Sequence, residues 1–287
     1  MLAVYKKELR SHFTTMTGYV FIAFILLITG IFCTATNLRS GYPAFEYALS
    51  SVSFTLIFII PILTMRTLSE EKHQKTDNLL YSLPLSVPGI IIGKYLALLT
   101  IFAIPVALMC FYPLILSIYG TVYFVSAYTA IFGFFLLGAS LMAVGLFMSA
   151  LTESQVIAAV ISFAALLAAY LMGGLSTLVP ATAIASFIAY TIVILLAALL
   201  VWYMTKNSTI AYIVAIVLET AMFILYFIRN DLFSGSFNGA LTAFSLYDRQ
   251  SNFIYGIFDV TSAVYYLSVI FIFVFFSIQS VEKRRWS

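Results

Sequence analysis

Long apolar runs set the terms on which this chain can fold. Eight stretches, residues 19–35, 47–64, 90–118, 123–150, 155–173, 181–204, 209–228 and 263–279, approach or exceed the length at which a helix crosses a bilayer. A crossing takes about 20 mostly apolar residues, because each helical residue advances only ~1.5 Å through a hydrocarbon core about 30 Å thick. Within that core, only helices and closed barrels pair every backbone N–H and C=O. With 63% apolar and 9% charged residues and a mean hydropathy of +1.09, the chain lies far from soluble domains, which carry roughly 25% charged residues. The expected fold class is an all-α membrane protein: a polytopic helical bundle of about eight transmembrane helices, forming a single transmembrane domain over residues 1–287. Only the short linker TKNS parts the sixth and seventh stretches, so they are expected to pair as a tight hairpin.

Lysine and arginine give the orientation. With the N-terminus in the cytoplasm, the inner segments hold Lys6, Lys7, Arg10, Arg66, Lys72, Lys75, Lys94, Lys206, Lys283, Arg284 and Arg285, and the outer ones only Arg39, Arg229 and Arg249. Cytoplasmic loops carry the basic excess in membrane proteins, so a multi-pass protein with both termini cytoplasmic is expected, and an even number of spans satisfies this. Topology accounts for the net charge of +3, and no nucleic-acid partner is implied. The first apolar run is longer than a signal-peptide core and lacks a clear A-x-A site, so it is read as an anchor. Cys33 and Cys110 lie in or at the edge of spans without a CxxC spacing and read as packing residues.

Between the spans, residues 1–16 place Leu2, Tyr5, Leu9 and Phe13 at helical spacing, with Lys6, Lys7 and Arg10 mainly elsewhere. This suits a helix lying in the membrane interface; a solvated basic tail is the alternative. Thr152, with Gln155 three residues on, has the spacing of a capping box for the fifth span. Ser86 and Pro88 open the third, where a missing N–H costs nothing. Residues 229–262 form the long outer segment, rich in Phe and Tyr. These aromatics sit at the membrane interface by default, or cap a pathway, meet a partner or touch substrate. Ala139/Ala143, Gly145/Ser149, Ala158/Ser162, Ala165/Ala169 and Ala169/Gly173 are small-residue pairs that let helices approach closely.

No constellation for bond-breaking chemistry is visible. GIIIGKY, residues 89–95, has one residue too few between its glycines for a phosphate-binding loop and lacks the following Ser or Thr. His12 and His73 sit in basic segments without a metal-ligand spacing, so no enzyme activity, metal or cofactor is expected. Glu219 alone lies near the middle of a span. An ionised acid there costs on the order of 2.5–3.5 kcal/mol to insert, so it faces protein or water, or stays protonated. It either bonds between helices or forms a polar spot lining a cavity, and a single such acid is poor support for ion-coupled transport.

Of the 14 Lys and Arg and 11 Asp and Glu side chains, seven fall within residues 65–94. A chain that carries no energy-consuming site of its own reads here as offering a docking surface to a partner that has one. The stretches YKKELRSHFTTMTGYV, MRTLSEEKHQKTDNLLYSLPLS followed by IIIGKYLA, LTESQVIAAVISF, and the ending FIYGIFDVTSAVYYLSVIFIFVFFSIQSVEKRRW carry a family pattern. In these the chain resembles the permease subunits of type-2 ABC exporters, in particular the branch of gliding-motility and nitrous-oxide-reductase-maturation permeases. Arg66, Glu71, Thr76, Leu79, Leu80, Pro84, Gly93 and Lys94 match that pattern, and Lys75 stands where glycine is usual. The likeness covers the first 170 or so residues and the last 45, leaving out the hairpin of residues 181–228.

The resemblance implies a bacterial cytoplasmic-membrane permease that pairs with a second, identical or related permease and with two cytoplasmic ATPases. In that family the insert after the second span, here residues 66–89, is the coupling helix. In this sequence Thr76 can cap a short helix whose Leu79, Leu80 and Leu83 make an apolar knob, and Pro84 ends it. Charges at Arg66, Glu70, Glu71, Lys72, Lys75 and Asp77 would set its register on the ATPase. A solvated loop would explain the lysines but not the leucine knob. The expected function is the permease subunit of an ATP-driven exporter; the alternative is a non-transporting anchor or mechanotransmitting subunit acting on an extracytoplasmic partner.

Overall fold

A computed structural model describes residues 1–75, 86–206 and 208–286. Helices follow one another as α1 (Leu2–Thr14), α2 (Thr17–Cys33, continued by a π-turn Thr34–Leu38), α3 (Phe45–Thr64), α4 (Arg66–His73), α5 (Val87–Met109), α6 (Phe111–Leu116), α7 (Phe124–Leu151), α8 (Gln155–Leu178), α9 (Ala183–Thr205), α10 (Ser208–Ile228), a 3-10 turn Asn230–Phe233, α11 (Ser236–Phe244), α12 (Gln250–Ile254) and α13 (Val260–Trp286). No strand occurs among the described residues.

Every apolar run coincides with a helix. Among the described residues, six stretches are long and apolar enough to cross a membrane: Thr17–Leu38, Phe45–His73, Val87–Leu116, Phe124–Leu151, Gln155–Leu178 and Val260–Lys283. Tyr212–Ile228 and Asn230–Phe244 pass together as a pair bent by 115°, and Ala183–Leu199 is a shorter apolar helix. The protein is thus a polytopic helical membrane protein with six or seven crossings by that measure. α9 closes on α10 through Lys206, whose φ of 51° lets its N–H return to Trp202 O at 2.8 Å. The start of α8 differs from the expected capping box: Ser154 precedes the helix and its Oγ accepts from Ile157 N, while Thr152 Oγ1 accepts from Ser154 N.

The chain divides into two compact units, Met1–Ala168 with Arg249–Ser287, and Ala169–Asp248. In the first, α7 is the hub: its membrane-length window is 78% buried, against 17% for α13. Small residues make this possible. A Cβ on Gly133 would collide with Phe253, one on Gly138 with Phe102 and one on Gly145 with Thr64, so α12, α5 and α3 each seat a side chain against α7. Buried Gln250 on α12 donates to Ser53 Oγ at 2.7 Å, two turns inside α3, so part of the expected outer segment packs into the bundle. Asp259 then starts α13. It accepts from Ser262 Oγ at 2.6 Å, Asn252 Nδ2 at 3.0 Å and Thr261 N at 2.9 Å, and these bonds, led by Ser262, pull its carboxyl down to about 2.

The second unit is the α9–α10 hairpin with α11 and the end of α8. Rings of Phe187, Tyr190, Tyr226, Phe233 and Phe237 form one aromatic cluster. Asn238 donates to the free carbonyls of Ser176 and Val179 at 2.7 and 2.8 Å, closing the end of α8.

Candidate functional site

The charged insert begins as a continuation of the second span. α3 and α4 together form a 29-residue stretch, about 43 Å long at ~1.5 Å per residue, so roughly 13 Å more than the hydrocarbon core requires. The joint at Met65 is made by a side chain from α7. Ser149 Oγ accepts from Leu68 N and Ser69 N, both at 3.1 Å, and donates to Met65 O at 3.0 Å, which uses the full bonding capacity of one hydroxyl. A side chain inserted into the i→i−4 ladder is a recognised cause of a helix bend. Lys72, buried on the same face, donates to Ala150 O, which also accepts from Ser280 Oγ on α13.

On its other side, α4 meets α1 and α5. Lys94 is 1% exposed, and its ammonium lies 2.9 Å from Glu71 Oε1, 3.0 Å from Glu8 Oε1 and 2.9 Å from Thr67 O. Gly93 beside it lets α1 come close: a Cβ there would stand 3.1 Å from Met1 O and 3.3 Å from Val4 Cβ. Lys7 reaches Glu71 at 3.4 Å from a largely exposed position. Arg66 grips Glu70 through Nε at 3.1 Å and Nη2 at 3.3 Å, one turn apart on α4. These groups border a cavity of about 300 Å³ whose walls include Lys7, Glu8, His12, Arg66, Glu70 and Lys94. Burial lowers the His12 pKa from its ordinary 6.5, with Lys94 and Arg66 acting in the same direction and Glu8 and Glu70 against it. The ring therefore favours its neutral form and pairs with Thr17 Oγ1 at 3.3 Å.

Of the residues singled out in the sequence, Arg66, Glu70 and Glu71 come together on α4. Arg66 and Glu70 keep partly exposed heads, whereas Glu71, like Lys72, turns inward to hold α4 on the bundle. Thr76, Leu79, Leu80 and Leu83 lie outside the described residues. Glu219 belongs to the second unit, where Thr191 Oγ1 on α9 donates to its Oε2 at 3.3 Å and its buried Oε1 has no partner among the described residues. The stripe on α1 is also shifted: Leu2 is exposed, and Val4, Tyr5 and Glu8 face α5, with Tyr5 Oη bonded to Thr100 Oγ1 at 3.1 Å. Sequence reasoning missed Glu8 and the bonding roles of Lys94 and Ser149. The usable signal was Lys94 itself, a cation two turns inside an apolar helix that must have a counter-ion, and Glu8 is the acid of an otherwise basic α1.

The sequence pattern of the family described as ABC-2 family transporter protein matches residues 6–206. The chain belongs to the ABC-2 transporter family. It is therefore the membrane component of an ABC-type transporter, a family whose permeases lie in the membrane and work with an ATPase partner. The match takes in the whole charged node and runs through α9, further than the resemblance read from the motifs, and stops before α10 and Glu219. No curated protein and no solved structure matches this ABC-2 family chain.

Proposed function

We propose that this chain is the permease subunit of a bacterial ABC exporter of the gliding-motility and nitrous-oxide-reductase-maturation branch, driven by ATP hydrolysis in a separate subunit. It works as one membrane domain in the cytoplasmic membrane, with both termini in the cytoplasm, beside a second permease that is identical or related. Residues 66–89 meet the ATPase: Arg66 and Glu70 offer charge at the base, Glu71 holds the base in place, and Thr76, Leu79, Leu80 and Leu83 supply a capped apolar knob. The observation that carries this reading is the anchoring of α4. A helix that runs past the membrane length and is fixed by Ser149 on one side and Lys94 on the other can carry a push from a partner into α3 and α7.

The test is a double variant, Leu79→Ala with Leu80→Ala. Burying one leucine contributes roughly 1.5–3 kcal/mol, so losing two from the knob is expected to abolish co-purification of the ATPase while membrane insertion stays normal. Undiminished binding of the ATPase would reduce residues 76–83 to a connector. A second reading, mechanotransmission to an outer partner, is favoured by one observation: α3 carries α4 at one end and accepts Gln250 of the outer segment at Ser53. Substrate accumulation in vesicles holding the purified complex separates export from it.

A further inference from the structure

We propose that Lys94 is a positioning residue that ties α1 to α4 through one buried ammonium, so that the two helices move as one body. This rests on the reading of residues 66–89 as the ATPase-contacting segment. An ammonium has three N–H groups and no acceptor. Lys94 has one acceptor for each of them, Glu8 Oε1 on α1 and Glu71 Oε1 and Thr67 O on α4, while its own backbone belongs to α5. Because the side chain is 1% exposed, water and salt screen these contacts little. A second polar link between α1 and α4, Lys7 to Glu71 at 3.4 Å, involves a lysine side chain 63% exposed, and exposed pairs of this kind hold helices weakly. Gly93 completes the arrangement by admitting the α1 backbone. A displacement of α4 that left α1 behind would part Lys94 from Glu8 or from Glu71 in an environment that cannot replace either, so the low-energy response is for α1 to follow.

The experiment reads the α1–α4 distance directly. Spin labels are placed at Arg10→Cys and His73→Cys, both exposed, with Cys33 and Cys110 replaced, and the complex is purified with its ATPase through a tag on this chain. The parent is expected to give a single narrow distance that is the same without nucleotide and when trapped with ADP and vanadate. Lys94→Met alone would strand Glu8, so the companion variant is Glu8→Gln with Lys94→Met, which removes one charge of each sign. In that variant the distance is expected to broaden and to differ between the two nucleotide states, with the ATPase still bound. A parent distance that changes with nucleotide overturns the proposal without any variant, and so does a companion variant that keeps the parent's distance in both states. Failure of the parent to co-purify an ATPase would instead remove the underlying reading of residues 66–89.

Discussion

Single residues here are decided by what their polar atoms can reach. Lys75 has a φ of 54°, in the left-handed region that favours glycine, at the position where the resemblance read from the sequence leads one to expect glycine. The turn at the end of α4 is thus kept by a residue that suits it less well. Glu219 shows the same logic inside a span. One carboxylate oxygen takes Thr191 from the neighbouring helix and the other is buried without a partner among the described residues. Glu219→Gln retains the acceptor for Thr191 and is expected to leave stability within about 0.5 kcal/mol of the parent. Glu219→Leu removes it and should lower stability by about 0.6 kcal/mol, the mean measured for hydrogen bonds between membrane helices, and by no more than about 1.7 kcal/mol, the largest. Thermal unfolding of the two variants in detergent decides the matter, and equal tolerance of both would make the Thr191 contact irrelevant. That the acid needed a partner was legible from its apolar surroundings. That the partner is Thr191 was not, because pairing across a hairpin depends on the rotation of both helices.

At the scale of elements, hydropathy located the helices because crossing a bilayer demands long apolar runs, and the structure places a helix at each of them. It could not show that the second span continues as α4. Hydropathy falls sharply at Arg66, yet the backbone stays helical because Ser149, 80 residues away from Ser69 in sequence, bonds the joint. The Gly145/Ser149 pair was readable as a packing device, and its partner became visible only in three dimensions: Gly145 seats Thr64 and Ser149 enters the α3–α4 ladder. Ser149→Ala should leave two buried N–H groups without an acceptor, and an unsatisfied buried group costs about 1–3 kcal/mol. The expected outcome is a loss of that order in thermal unfolding, together with faster hydrogen exchange at Leu68 and Ser69 than in the parent. Unchanged exchange would mean that the i→i−4 ladder closes without the hydroxyl, and that α4 does not depend on α7 for its direction.

Over the whole molecule, the asymmetry of basic residues leads to one expectation, that Lys206 and both termini share a side. The second unit offers a place to test it. α10 has 21 residues, about 31 Å at ~1.5 Å per residue, enough to cross a core of roughly 30 Å. At Arg229 the helical axis turns by 115° into the 3-10 turn and α11, so the chain leaves the line of α10 at that point. In the sequence, Asn207 directly precedes α10 and Ser236 follows its end, on segments carrying one lysine and no lysine respectively. Single cysteines at Asn207 and Ser236, in a chain with Cys33 and Cys110 replaced, are therefore expected to react with a membrane-impermeant thiol reagent from opposite faces of sealed vesicles. The fraction labelled before and after permeabilisation gives the side for each site. Labelling from the same face would turn α10 and the segment after its bend into a re-entrant loop. The expected eight crossings would then become seven, and the two basic termini could share the cytoplasm only if another helix gave up its crossing.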